Sequence, residues 1–382
     1  MSWPADAELV EDQDHADFRS SVRSFLAQHA PTRRVRQLCD DAGRVERSAL
    51  WRQLCTELGV AGLCVPEEFG GQGAPASYQV VLLEELGRTL APVPMFASTV
   101  LATTALLESG DAEACKRWLP AMVRGERVAT MAAGERPHDW DLRSVTTTAT
   151  CLGGRWRVTG SKPWVVDGDN ATLALVLADS ADGSVLLAVD LDDEAVRREV
   201  SATLDPTRPA VTIHVDDVVA DLVGGVGEGR RIVDATMRRA AVALAAEQLG
   251  VATRALEMAV EQAKTRVQFG RAIGSFQSLK HLLADCYVEV EGLRASVRHA
   301  AQALDDGDPA QATLLAHLCK AVGSDVALDV AGASIQVHGG IGFTWEHDAH
   351  LYFKRATVSR QWLGTPAYHR DKVAALMLGA TA

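Results

Sequence analysis

The sequence predicts an α+β multidomain chain: an N-terminal helical domain, a middle antiparallel β-domain and a C-terminal four-helix bundle. Three observations predict it. Apolar residues recur at helical spacing up to about residue 125; the texture then becomes short, Val- and Thr-rich and broken by turn residues; long helical patterns return from about residue 231. The domains expected are therefore 1–125, 126–230 and 231–382. A chain of 382 residues is in any case long for one small core.

The elements follow in order. In "ADFRSSVRSFLAQHA", Phe18, Val22, Phe25 and Leu26 fall on one helical face. Leu50, Leu54 and Leu58 do the same before a stop at Gly59, and the Pro- and Gly-rich "VPEEFGGQGAP" is a loop. "SYQVVLLEELGRTLAPVPM" is helical until Pro92 and Pro94, and "ASTVLATTALLESG" adds a further helical stretch. The segments "RVATMAAGE", "SVTTTATCLGGRWRVTGSKPWVV", "ATLALVLADSADGSVLLAVDL" and "AVTIHVDDVVA" read as strands of a sandwich or barrel. Helices are then expected over about 231–267, 275–304 and 308–337, with a shorter one from about 366. Short turns between them suit an antiparallel bundle.

Composition narrows the function. The net charge of −12, from 38 basic and 50 acidic residues, argues against a non-specific nucleic-acid or membrane binder. A few placed arginines could still hold an anionic ligand. The seven cysteines are scattered and include no CxxC pair, so neither a metal site nor a disulfide framework is expected. They read as small buried hydrophobes in a reducing cytoplasm. The polar, acidic N-terminus does not read as a signal peptide, and no apolar run approaches the roughly 20 residues of a membrane helix.

Three segments carry chemistry. "RVQFGRAIGSFQSLKHLLAD" places Arg266, Phe269, Gly270, Phe276, Gln277 and His281 at a helix–loop–helix junction, where an arginine fork can pair with phosphate. An ordinary capped turn with core aromatics is the other reading. "QVHGGIGFTWEHDAHLYFKRA" has Gly339, Gly340 and Gly342 after a helix; the turn either presents bare N–H groups to an anion or simply stops the helix. In "GSKPWVVDG", Trp164 is either the wall of a planar-ligand site or a core residue.

Together these segments resemble the acyl-CoA dehydrogenase family. "RVQFGRAIGSFQSLKHLLAD", "QVHGGIGF" with the following "GT" at 364–365, and "VPEEFGG" are similar to its signatures, and the helical–β–helical order agrees along nearly the whole chain. The resemblance implies non-covalent FAD between the β-domain and the C-terminal bundle. It implies that Arg266, Phe269 and Gln277 reach the FAD of a neighbouring subunit. Gln336 and Gly340 would meet the same dinucleotide, Thr365 would sit beside the cofactor, and Trp164 would back the flavin ring. It also implies an acyl-CoA substrate, an electron-transferring flavoprotein as acceptor, and an oligomer, usually a dimer of dimers. The reaction implied is α,β-dehydrogenation: a carboxylate removes the α-proton while the β-hydride moves to the flavin.

The sequence departs from the family where that carboxylate belongs. Many members carry it as the Glu of a "YEGT" sequence near the C-terminus; the corresponding "RQWLGT" puts Leu363 there. Others carry it on the first helix of the bundle, at the position of Ala240. Glu247 lies seven residues further along that helix, nearly two turns and about 10 Å away, pointing in the same direction. Among Ala243, Leu244, Gly250 and Val251 its carboxyl is expected to be desolvated, with a raised pKa suited to a base. An ordinary solvated helical Glu is the other reading. Further departures are "AGERPHDWD" at 133–141 in place of a substrate-seating stretch, Val166 in place of a hydroxyl near the flavin, and Arg355 in place of an Asp.

The leading expectation is thus an FAD-dependent dehydrogenase of a bulky or branched acyl-CoA with Glu247 as base. Acyl groups on a carrier protein are an alternative substrate, and oxidase or monooxygenase use of the flavin a further one. The competing expectation is a non-catalytic subunit that completes the FAD site of a hetero-oligomer, since some relatives assemble from two different chains of which one bears the base.

Overall fold

The computed structural model describes residues 12–39, 44–136, 142 and 145–379. The acidic N-terminal residues 1–11, and residues 137–141 of the "AGERPHDWD" departure, lie outside the described residues.

Helix α1 (Gln13–His29) starts where Asp12 accepts a hydrogen bond from the His15 N–H, and it buries Val22, Phe25 and Leu26. It is followed by α2 (Thr32–Leu38), α3 (Arg44–Leu58) and α4 (Ala76–Thr89). The apolar stretch after Pro94 is a wide π-helix over Met95–Thr103 with all nine residues buried, which then tightens into α5 (Thr104–Glu108). Helix α6 (Ala112–Val123), capped by Asp111, closes the first helical region.

Seven strands follow: β1 (Ala129–Ala132), β2 (Thr148–Leu152), β3 (Arg155–Val166), β4 (Leu173–Ser180), β5 (Gly183–Asp190), β6 (Val196–Val200) and β7 (Ala210–Val223). The pairings β2–β3, β3–β7, β7–β5 and β5–β4 are antiparallel, and a bridge between Thr148 and Asp179 joins β2 to β4, so the ring closes on itself. The sheet is mixed where the sequence predicts purely antiparallel pairing. β1 runs parallel to β4, because it enters from helix α6 instead of from a hairpin.

The chain ends in α7 (Gly229–Thr265), the short strands β8 (Val267–Gln268) and β9 (Arg271–Ala272), then α8 (Gln277–Asp305), α9 (Pro309–His338), α10 (Ala349–Gln361) and α11 (Pro366–Leu378). Helix α10 has no counterpart among the four helices expected. Its sequence, "AHLYFKRATVSRQ", hides its apolar face among basic residues that are themselves buried or half-buried.

Helix α7 organises the molecule. Residues Ala240 to Ala252 are all buried, because α4, α8, α9 and α10 pack around this segment. A helix enclosed on all sides needs no polar stripe, which explains the run of alanines, leucines and valines. The contact with α4 is backbone to backbone: a Cβ on Gly250 would stand 1.9 Å from the Glu84 carbonyl oxygen, and one on Gly87 would stand 2.1 Å from that of Glu247. Gly250→Ala gains about 1 kcal/mol of helix propensity but must push the two helices apart. A net loss of about 2 kcal/mol is expected, read as a lower thermal or urea midpoint. An unchanged midpoint would contradict this packing.

Candidate active site

A cavity of about 380 Å³ opens between the β-domain and the helices. Its β-side is built from Met131–Gly134 after β1, Pro163–Val166 at the end of β3 and Ala202–Leu204 before β7. Its helical side is built from Phe96 of the π-helix, Met237 of α7, and Trp362 and Leu363 after α10. The wall is apolar. Among the described residues, no carboxylate lines it, and Arg136 is its sole ionisable group.

Trp164 lies on this wall. It is 47% exposed and adopts a left-handed φ of 57°, at a shift in the β3–β7 register between Lys162 and Val165. Behind it is a device that sequence reasoning missed. The buried Lys162 Nζ donates to the Ala133 carbonyl at 3.1 Å and to Glu135 Oε1 at 2.7 Å, tying the two β-side walls together. Burial works against the Glu135 carboxylate, yet the bonds from Lys162, Thr146 and Thr147 bring its pKa down to about 2. No local pattern marks this tie, because its partners lie 27 positions apart in the chain.

Glu247 does not line the cavity. It is 3% exposed, and its two oxygens are held by two guanidinium groups: Arg355 Nη1 donates to Oε1 at 3.0 Å and Arg208 Nη2 donates to Oε2. Arg355 also donates through Nε to Asp205 Oδ2 at 2.5 Å and through Nη2 to Thr207. Asp205, Thr207, Arg208, Glu247 and Arg355 are all buried, so two anions and two cations balance in the interior. The raised pKa expected for Glu247 is corrected. Burial does push it up, but Arg208 and Arg355 outweigh that and hold the carboxyl below its ordinary value. The partners come from distant stretches of sequence, and the substitution of Arg355 for a family Asp was their one trace. Arg208 in turn stacks on Phe96 and Trp362, with its guanidinium carbon 5.2 and 4.7 Å from the ring centroids. The ion cluster thus stands behind the aromatic wall of the cavity.

Leu363 lies on the cavity wall, whereas Ala240 is buried within α7 and does not. Thr365 caps α11, its hydroxyl accepting from the Tyr368 N–H at 3.2 Å. The remaining expected residues gather at one end of the bundle, away from the cavity lining. Arg266 ends α7 and donates through Nη1 to the His338 carbonyl at 2.8 Å, joining the 266–276 loop to the turn after α9. Phe269 is 91% exposed with a left-handed φ of 52° and meets Phe276 edge to face. Gln277 begins α8, and Gln336 and Gly340 are exposed at the turn, where a Cβ on Gly340 would meet nothing within 4 Å. This end presents a guanidinium, amides and open backbone, which suits the phosphates of a dinucleotide. The apolar cavity beside Trp164 suits a flat ring.

Two smaller expectations meet the structure here. Cys55, Cys115, Cys286 and Cys319 are buried, but Cys151 is exposed on β2. Among the described residues, no group of His, Cys, Asp or Glu could hold a metal ion, and no helix is long and apolar enough to cross a membrane.

Comparison with known proteins follows the same outline. Residues 12–126 match the acyl-CoA dehydrogenase N-terminal domain and residues 227–378 the acyl-CoA dehydrogenase C-terminal domain. The acyl-CoA dehydrogenase IpdE2 of Mycobacterium tuberculosis is 36% identical over 359 residues, 94% of this chain and 95% of that protein. Among solved structures, the Tcur3481–Tcur3483 steroid acyl-CoA dehydrogenase is similar at 32% identity and a TM-score of 0.86, covering 96% of this chain and 98% of that one. The ChsE4–ChsE5 complex of Mycobacterium tuberculosis is similar at 27% identity and a TM-score of 0.84, covering 98% of this chain and 100% of that one.

One buried carboxyl near the ion cluster is not bonded into it. Asp167 is buried beside Val166 of the cavity wall, and its Oδ2 has no hydrogen-bond partner among the described residues. Burial, with Asp169 nearby, raises its pKa to about 7 despite Arg208, Arg47 and Arg355. A carboxyl raised in the folded state binds more protons there than when unfolded, so its contribution to stability falls as pH rises from about 4 to about 7. Asp167→Asn is expected to remove that slope and raise the unfolding midpoint at pH 8 relative to pH 5. An equal shift at both values would contradict it.

Proposed function

The chain belongs to the acyl-CoA dehydrogenase family, FAD-dependent oxidoreductases, and from that premise we propose that it works in a mixed assembly whose α-proton base comes from a partner chain. One observation carries this reading: the cavity wall has no carboxylate among its described residues, while the nearby Glu247 is committed to two arginines. A base must be free to take a proton, and a carboxylate held low by two cations is a poor acceptor. The residues at the two alternative positions, Leu363 and Ala240, cannot take a proton at all.

The chain's own residues then have binding and shielding roles. Trp164 would back the flavin ring, and Met237, Trp362 and Leu363 would exclude water from the acyl group. Arg266, Phe269, Gln277, Gln336 and Gly340, at the exposed end of the bundle, would hold the FAD of the neighbouring subunit, and Thr365 would lie beside the cofactor. The chemistry that FAD supplies when bound is acceptance of the β-hydride, with an electron-transferring flavoprotein as the expected onward acceptor. The similar ChsE4–ChsE5 structure is a complex of two different chains, which supports a mixed assembly. The apolar cavity of about 380 Å³ and the likeness to a steroid acyl-CoA dehydrogenase support a bulky, ring-bearing acyl-CoA as substrate.

Purification tests this. Expressed alone, the chain is expected to carry well below one FAD per chain and to show no flavin bleaching with acyl-CoA. Co-expressed with a base-bearing member of the family, it is expected to co-purify with stoichiometric FAD. A yellow protein, purified alone, whose flavin is bleached by acyl-CoA would instead establish a self-sufficient enzyme with its own base.

A further inference from the structure

The turn that walls the cavity at Trp362 and Leu363 is strained and unusually well tied. Leu363 has a left-handed φ of 57° and Gly364 a φ of 108°. A Cβ on Gly364 would come within 2.6 Å of the Tyr368 ring and 2.9 Å of His369 Nε2, so the turn has no slack. Its carbonyl groups point at bases inside the bundle. His369 Nε2 lies 2.9 Å from the Leu363 carbonyl oxygen, and His317 Nδ1 lies 2.8 Å from His369 Nδ1. Lys320 Nζ donates to the Gly364 carbonyl at 3.2 Å and to Ser324 Oγ at 2.7 Å.

Hydrogen-bond chemistry fixes the tautomers. A carbonyl oxygen can only accept, so His369 must carry its proton on Nε2. Its Nδ1 is then the acceptor, and His317 must carry its own proton on Nδ1. The two rings therefore form a directed relay, His317 to His369 to the Leu363 carbonyl, that works when both are neutral. The surroundings keep them so. Burial dominates, and the charges facing the pair are mostly positive: Lys320 of α9, Arg238 of α7 and Lys372 of α11. The His317 pKa falls to about 4 and that of His369 to about 3. Asp325 of α9 is engaged by Arg360 and Arg370.

We propose that His369, oriented by His317, is a positioning residue that sets the Trp362–Leu363 wall of the cavity and so determines which acyl groups fit. The inference rests on the cavity being the acyl site, but the imidazole relay itself does not. Neither histidine is itself part of the cavity lining; His369 reaches it only through the Leu363 carbonyl, so the effect is exerted through the turn.

Two measurements test it. In the assembled, flavin-loaded dehydrogenase, His369→Phe is expected to raise KM for acyl-CoA about tenfold, the size of one lost hydrogen bond to a buried carbonyl, with kcat changed less than twofold. His369→Gln retains an N–H donor for the Leu363 carbonyl and is expected to restore KM to within about twofold. Equal behaviour of the two variants, or a loss confined to kcat, would overturn the proposal. Ring-¹⁵N-histidine spectra of the unmodified protein supply the second arm and require no turnover. Neutral His369 protonated on Nε2 and neutral His317 protonated on Nδ1 are expected at pH 7. A protonated ring, or either opposite tautomer, would overturn the relay even if the Phe variant failed to fold. An assembly without acyl-CoA turnover but with these tautomers would count against the functional reading and leave the relay standing.

Discussion

The structure depends on a buried ion cluster. Asp205, Thr207 and Arg208 leave the β-domain on one short loop and meet Glu247 of α7 and Arg355 of α10, so a single charge-balanced knot fastens the sheet to the bundle. Taking four charges out of water is costly, and each is tolerated because it is paired with an opposite charge, even though Arg208 Nη1 has no hydrogen-bond partner among the described residues. Removing one member leaves its partner buried without compensation, an effect of roughly 3–5 kcal/mol. The knot stands behind the aromatic side of the cavity, and Arg208 is the link between them, paired with Glu247 and stacked on the Phe96 and Trp362 rings.

That arrangement separates two things that the sequence places together. A carboxylate in an apolar run suggests a proton acceptor, because desolvation alone raises its pKa. Two guanidinium groups reverse the sign, and the same burial that would have activated Glu247 strengthens its pairing instead. In the proposed reading, the chain would keep the parts that grip and enclose: Trp164 on the cavity wall, a largely apolar lining, and an open-backbone end bearing Arg266. The proposed mixed assembly would reconcile those parts with a cavity wall that has no carboxylate among its described residues.

Much of the fold was legible in the sequence because the signals are local. Periodicity marks α1, α3 and α4; the shift to Val- and Thr-rich segments marks the strands; and the glycine at 339 marks the end of α9. Helix α10 was not legible, because Arg355 and His350 are buried within it and erase its apolar stripe. The parallel placement of β1 depends on pairing between distant strands and leaves no local pattern. In the site, Trp164 and Leu363 could be placed from motifs. The Lys162–Glu135 tie, the arginines around Glu247 and the His317–His369 relay could not, since each joins residues 27 or more positions apart, up to 108 for Arg355 with Glu247.

The central claim is that Glu247 holds the structure together and does not accept the substrate's α-proton. The most direct measurement is anaerobic stopped-flow bleaching of the flavin by acyl-CoA in the assembled complex, with and without Glu247→Gln, normalised to bound FAD. If the carboxylate is structural, the flavin that remains bound is reduced within a few-fold of the parent rate. A fall of a thousandfold or more, with FAD still fully bound, would identify Glu247 as the base and contradict the claim.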